Sequence, residues 1–118
     1  MERTGRSLSF FSPLPPEKNG IADYSYILLD EIRRHYDIDA YCDDPGALVP
    51  EGVMVRDQRQ AFRRIGPESR VLHQIGNNGG HVFVLRALRQ FPGLTTIHDI
   101  GLFYLYELER PGIDAMLA

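Results

Sequence analysis

The sequence predicts an α/β fold: an open, doubly wound, mostly parallel sheet flanked by helices. Three observations predict it. Short runs rich in β-branched and aromatic residues alternate with stretches whose apolar residues recur at helical spacing. Proline, glycine and asparagine cluster between those runs. A length of 118 residues, 43% hydrophobic and 25% charged, suits a single domain with one core. Strands that alternate with helices at this spacing build βαβ units, which demand a parallel sheet.

SLSFFS (7–12) is aromatic-rich and ends at Pro13, so it reads as the first strand. From Ile21, the apolar residues Tyr24, Ile27, Leu28, Ile32 and Tyr36 mark one face of a helix running to about His35. Arg33, Arg34 and His35 then occupy its last turn, where cations suit the negative end of the helix dipole. DIDAYC (37–42) is a second strand, and DDPGALVPEG turns. VMV (53–55) is a brief strand, RQAFRRI (59–65) a short basic helix, and RVLHQI (70–75) a further strand with His73 as a core histidine. Asn77, Asn78, Gly79 and Gly80 turn into the helix HVFVLRALRQF, whose apolar face is Val82, Phe83, Leu85, Leu88 and Phe91. Pro92-Gly93 stops it, and GLTTIHD (93–99) is the last clear strand. GLFYLYELE is helical and apolar on most of its sides. Burying one such large side chain is worth roughly 1.5–3 kcal/mol, so the segment 102–108 is expected to be covered by a partner, a second copy or further chain.

The net charge of −3 argues against a nucleic-acid binder with a broad basic face. Cys42 stands alone, so there is no disulfide framework and a reducing cytoplasm is the expected setting. No apolar run reaches membrane-spanning length and the first residues lack a secretory signature. The expected location is therefore cytoplasmic, with peripheral contact at an inner membrane left open.

In an open α/β sheet, ligands bind beyond the carboxyl ends of the strands. The candidate site loops are therefore 13–20, 76–80 and 98–101. In the first, prolines 13, 15 and 16 stiffen the chain before Asn19-Gly20 meets a helix start. Glycine admits a ligand close to the backbone, and helix-start amides attract anions. Asp23 in the first turn would compete with a phosphate, and from spacing alone a tight turn with Asn19 as N-cap is the better reading. In the second, Gly76, Gly79 and Gly80 loosely resemble a phosphate-binding turn, and Asn77 and Asn78 either bond sugar hydroxyls or serve the turn. His81 reads as an exposed first-turn residue. In the third, His98 and Asp99 close a strand as a base with its orienter, a clamp, or metal ligands, with Asp99 also suited to cap the next helix. Arg56, Arg59, Arg63 and Arg64 form a basic stripe whose default reading is a solvated face, with contact to an anionic lipid or acceptor as the alternative.

Taken in order, Pro15-Pro16 with Gly-Ile-Ala-Asp-Tyr-Ser (20–25), Gln-Ile-Gly-Asn (74–77), Pro92-Gly93 and a strand ending His98-Asp99 resemble the amino-terminal half of retaining glycosyltransferases of family four. These are two-domain enzymes of the GT-B fold, with Rossmann-like domains, that use nucleotide-activated sugars. The resemblance runs from Ser9 to about Tyr106. It implies that Asn19 and Gly20 face the donor diphosphate, that His98 lies against the donor sugar as the catalytic-site histidine with Asp99 beside it, and that Gly76, Asn77 and Asn78 face the acceptor. It implies a nucleotide diphosphate sugar as donor and a saccharide or lipid-linked acceptor, and nothing visible in the sequence requires a further cofactor or metal. Nothing here matches the family's nucleotide-binding carboxyl-terminal domain. The chain is accordingly expected to be a truncated product, a fragment or one subunit of a split enzyme, inactive alone. Two other classes stay open: a non-catalytic α/β binding module that recruits a partner through the exposed helix at 102–108, and a His/Asp metal hydrolase.

Overall fold

The computed structural model describes residues 4–18, 20–76 and 82–97. Along the chain come β1 (Ser7–Phe11), α1 (Gly20–Ile32), β2 (Asp37–Cys42), β3 (Met54–Asp57), a 3-10 turn over Gln58–Gln60, α2 (Ala61–Arg64), β4 (Val71–Ile75), α3 (Val82–Gln90) and β5 (Leu94–Ile97). All five strands pair in parallel, in the order β3-β2-β1-β4-β5. The chain winds outward from β1 to β3, returns across the sheet to β4, and winds outward the other way to β5. This is the doubly wound α/β fold that the alternating pattern predicts.

Register sorts the side chains onto two faces, because successive residues of a strand point to opposite sides. Phe11 lies level with Tyr41 on one side and His73 on the other. Their rings stack, with centroids 4.8 Å apart for Phe11–Tyr41 and 4.9 Å for Phe11–His73. Phe91, just after α3, stacks on Phe11 at 6.2 Å and takes an edge contact at 5.3 Å from Phe62 of α2. Thus α2 and the end of α3 cover this face. Right-handed crossover assigns α1 to the other face, where Phe10 lies level with Ala40 and Leu72. No helix among the described residues is long and apolar enough to cross a membrane.

The face that α1 buries is not the one its large residues suggest. Ala22, Ser25 and Leu29 are buried, whereas Tyr24 is 49% exposed and Ile27 66%. Leu28, Ile32 and Tyr36 are partly buried against the core. Small residues let the helix axis come close to the sheet, and a search for large apolar side chains misses them. The end of α1 also differs from expectation. The Arg33 amide still reaches the Leu29 carbonyl at 3.0 Å, but Arg34 and His35 bond three residues back, to Glu31 and Ile32. The last turn tightens to 3-10 spacing and α1 closes at Ile32, so Arg33, Arg34 and His35 come after the helix rather than belong to it. Arg33 instead binds the Asp30 carboxylate at 2.8 Å and the Glu51 carbonyl at 3.0 Å.

The expected strand at 53–55 is displaced to Met54–Asp57. Val53 turns its amide to the Pro50 carbonyl, 3.2 Å away, and only then does the ladder begin, Met54 opposite Asp39 and Asp57 opposite Cys42. Asp57 ends the strand by capping the 3-10 turn. Its carboxylate accepts from the Arg59 amide at 2.8 Å, while the Gln60 side chain accepts from the Asp57 amide at 3.1 Å. The helix expected at 59–65 is therefore a 3-10 turn continued by one α turn. In α3, Val84 and Ala87 join Phe83 and Leu85 inside.

His73 is the core histidine that its strand position predicts. It is fully buried, and its Nε2–H donates to the Phe91 carbonyl at 2.7 Å, since a carbonyl only accepts. Nδ1 has no partner among the described residues. Burial holds the imidazole below its ordinary value of 6.5, partly offset by the Phe91 bond. A folded-state value depressed in this way means that the unfolded chain takes up the proton first. Stability is then full above about pH 6.5 and falls as the pH drops below it. His73→Gln, which keeps a donor towards Phe91, is expected to flatten the fall of the urea midpoint between about pH 7 and pH 5.

Gly93 starts the return into β5 against the beginning of β4. A β-carbon there would collide with the Val71 carbonyl oxygen and stand 2.8 Å from the Val71 Cβ. Gly93→Ala is expected to cost about 1–3 kcal/mol by overpacking, seen as a lower urea midpoint with unchanged slope.

Candidate functional site at the carboxyl edge of the sheet

Parallel pairing brings all five carboxyl ends to one edge. The chain leaves β1 towards β2 and leaves β4 towards β5, yet β1 and β4 are neighbours. Their loops therefore part over a topological switch point, the place where open α/β sheets form a crevice. Gly20 lies at the end of the loop after β1, and Gly76 directly continues β4. β5 is the next strand beside β4, with Ile97 level with Ile75. Of the residues singled out from the sequence, Asn19, Asn77, Asn78, His98 and Asp99 lie outside the described residues, as do His81 and the segment 102–108.

The wall after β1 is held from three directions. Ser12 is fully buried, and its hydroxyl donates to the Pro13 carbonyl at 2.7 Å. That leaves its oxygen to accept from Ser25 of α1, also at 2.7 Å, which ties the loop to the helix. Leu14 is buried and anchors the loop in the core. The Glu17 amide closes a turn on the Leu14 carbonyl at 3.1 Å, and the Leu48 amide reaches across to the Pro15 carbonyl at 2.6 Å. The Pro15–Pro16 bond is cis.

Gly20 opens α1 on the solvent side. Among the described residues a β-carbon there would meet nothing within 4 Å, and its φ is not among the positive ones. No described neighbour therefore requires glycine at this position, although glycine in a helix gives up roughly 0.5–1 kcal/mol relative to alanine. Asp23 is exposed on the flank of α1 that carries Tyr26 and Ile27, where it helps to line an apolar groove with Pro15, Leu48 and Val49. Gly76, in contrast, is buried. Its backbone belongs to the floor of the edge rather than to an open turn.

A second hollow on the same edge was not legible as a site. It measures about 380 Å³ and lies at the carboxyl ends of β2 and β3, among Cys42, Asp43, Val55, Arg56, Asp57 and Arg59. Arg59 grips Asp57 with two bonds, 2.9 and 3.2 Å, and holds that carboxyl down at about 2. Asp57 is thus ionised at neutral pH and cannot serve as a proton donor there. Burial pushes the Cys42 thiol up, with the Asp43 charge adding to it, so Cys42 is no thiolate nucleophile.

The basic stripe is largely paired rather than freely solvated. Asp39 takes Arg56 at 3.0 Å and Arg64 at 3.2 Å, and Asp57 takes Arg59. The signal that could have found this is the aspartate on the strand facing it. Among the described residues no group of three or more His, Cys, Asp or Glu is arranged to hold a metal ion.

No family model, curated protein or solved structure matches this chain.

Proposed function

We propose that this chain is the acceptor-side domain of a glycosyltransferase that transfers a sugar from a nucleotide diphosphate sugar to an acceptor with retention. One observation carries the reading. The loops bearing the first two motifs leave neighbouring parallel strands at a topological switch point, and the strand leading to the third motif is next in the sheet. The strand ends that precede motifs scattered along the sequence thereby share one edge. The open space beside Gly20 supports it further, because a glycine without a local steric reason suits close approach by a ligand.

In this proposal the leaving diphosphate lies against the amides at the start of α1, around Asn19 and Gly20. Cations from a nucleotide-binding domain neutralise the rest of its charge. The chemistry is electrostatic: charge that develops on the leaving group meets donors already in place. His98 positions the donor sugar, with Asp99 beside it, and Gly76, Asn77 and Asn78 border the acceptor. The braced loop after β1 suits such a role, because a donor wall that shifted would lose the alignment on which the rate depends.

The test is a titration of the isotope-labelled chain with a panel of nucleotide diphosphate hexoses, read as amide shifts. Shifts should concentrate at Gly20, Gly76 and His98. Gly20→Ala should weaken them several-fold while leaving the urea midpoint unchanged or slightly raised. Shifts absent from these loops, or unaltered by Gly20→Ala, would remove the donor from this edge. In the assembly with a nucleotide-binding domain, His98→Ala should lower turnover far more than it lowers stability. Equal turnover would exclude a role for His98. Protein association without any response to sugar would favour the partner-binding module instead.

A further inference from the structure

A second polar cavity lies away from the carboxyl edge, on the face covered by α2 and towards the starts of β1 and β4. It measures about 320 Å³. Arg63 and Arg64 enter it from the last turn of α2, Ser69 and Arg70 from the segment before β4, and Ser7, Ser9 and Asp39 from the sheet. Three guanidinium groups thus face a single carboxylate. Asp39 is already committed: Arg56 binds one of its oxygens at 3.0 Å and Arg64 the other at 3.2 Å. That arrangement fixes the Arg64 fork without neutralising its neighbours. Neither Arg63 nor Arg70 has a carboxylate partner among the described residues. Arg70 stands 6.0 Å over the Tyr36 ring, a contact that steadies it at the rim.

A buried hydroxyl lies beside the same residues. Tyr41 is fully buried, yet its hydroxyl has no hydrogen-bond partner among the described residues. Its polar neighbours Ser9, Arg64 and Asp39 all line the cavity. Buried polar groups are normally paired, and an orphan of this kind marks an interaction that the protein alone does not complete. Ser69 accepts from the Gly66 amide at 2.9 Å and so keeps its own proton to donate.

We propose that this cavity binds a phosphate-class oxyanion, with Arg63, Arg64 and Arg70 supplying charge and Tyr41, Ser9 and Ser69 supplying hydroxyl donors. Planar guanidinium forks match the paired oxygens of a phosphate, and the cavity has room for a phosphomonoester or a phospholipid head. A long polyanion does not fit, because the chain as a whole carries a net charge of −3. The site stands apart from the switch point between β1 and β4, and it does not rest on the glycosyl-transfer reading.

The experiment is calorimetric titration of the intact chain with inorganic phosphate, at ionic strength held constant with potassium chloride. Saturable binding is expected. The double variant Arg63→Ala/Arg70→Ala should weaken it about tenfold or more, which corresponds to about 1.4 kcal/mol or more. Tyr41→Phe should weaken it several-fold while holding or raising the melting temperature, since it removes an unpaired hydroxyl. Binding that persists unchanged in the double variant, or stabilisation reproduced by chloride alone, would overturn the proposal. Sedimentation with phosphatidylglycerol and phosphatidylcholine vesicles separates the sources. Capture by the anionic vesicles that free phosphate reverses identifies a lipid headgroup, and phosphate binding without capture identifies a soluble phosphate.

Discussion

The structure depends on one aromatic ring. Phe11 sits in the middle strand with Tyr41 and His73 level on either side and Phe91 above. One side chain thereby joins β1, β2, β4 and the end of α3. A parallel strand slipped by one residue would turn Phe11 to the other face and exchange it with Phe10, so this stack pins the register of the whole sheet. The register in turn places Ser12 where it meets Ser25, and places the exits of β1 and β4 side by side. The core and the switch point are therefore one construction, because the residue that closes the core is the last of the strand that opens the loop.

Charge is distributed along the same logic. At the carboxyl edge, the carboxylates near β2 and β3 are either gripped by arginine, as Asp57 is by Arg59, or placed beside a protonated thiol at Cys42. What the edge offers is a braced loop and a glycine with open space beside it among the described residues. Among the described residues, Arg63 and Arg70, towards the opposite end of the strands, have no carboxylate partner.

The strand–helix alternation was legible because β-branched runs and turn residues agree with one another at every step, and His73 was legible as core because it stands inside such a run. The packing face of α1 was not. Ala22 and Ser25 are small, one of them polar, and their value lies in what they allow to come near rather than in their own hydrophobicity. The displaced β3 has a similar cause: Val53 is as strand-like as its neighbours, but the turn at Pro50 claims its amide. The basic stripe looked solvated because its counter-charge, Asp39, is distant in sequence and becomes adjacent only through the sheet. Of the candidate site, the edge itself could be read from sequence, since it derives from a parallel topology. The braces of the loop after β1 could not, because the Leu48–Pro15 bond joins two irregular segments with no periodic signal.

That bond has a mechanical consequence. The carbonyl of Pro15 is held by the connection between β2 and β3 and not by α1. Helix ends open far more readily than the body of a domain. Transient fraying of the first turn of α1 would therefore leave the proline rim standing, because the rim takes its footing from the sheet's far connection.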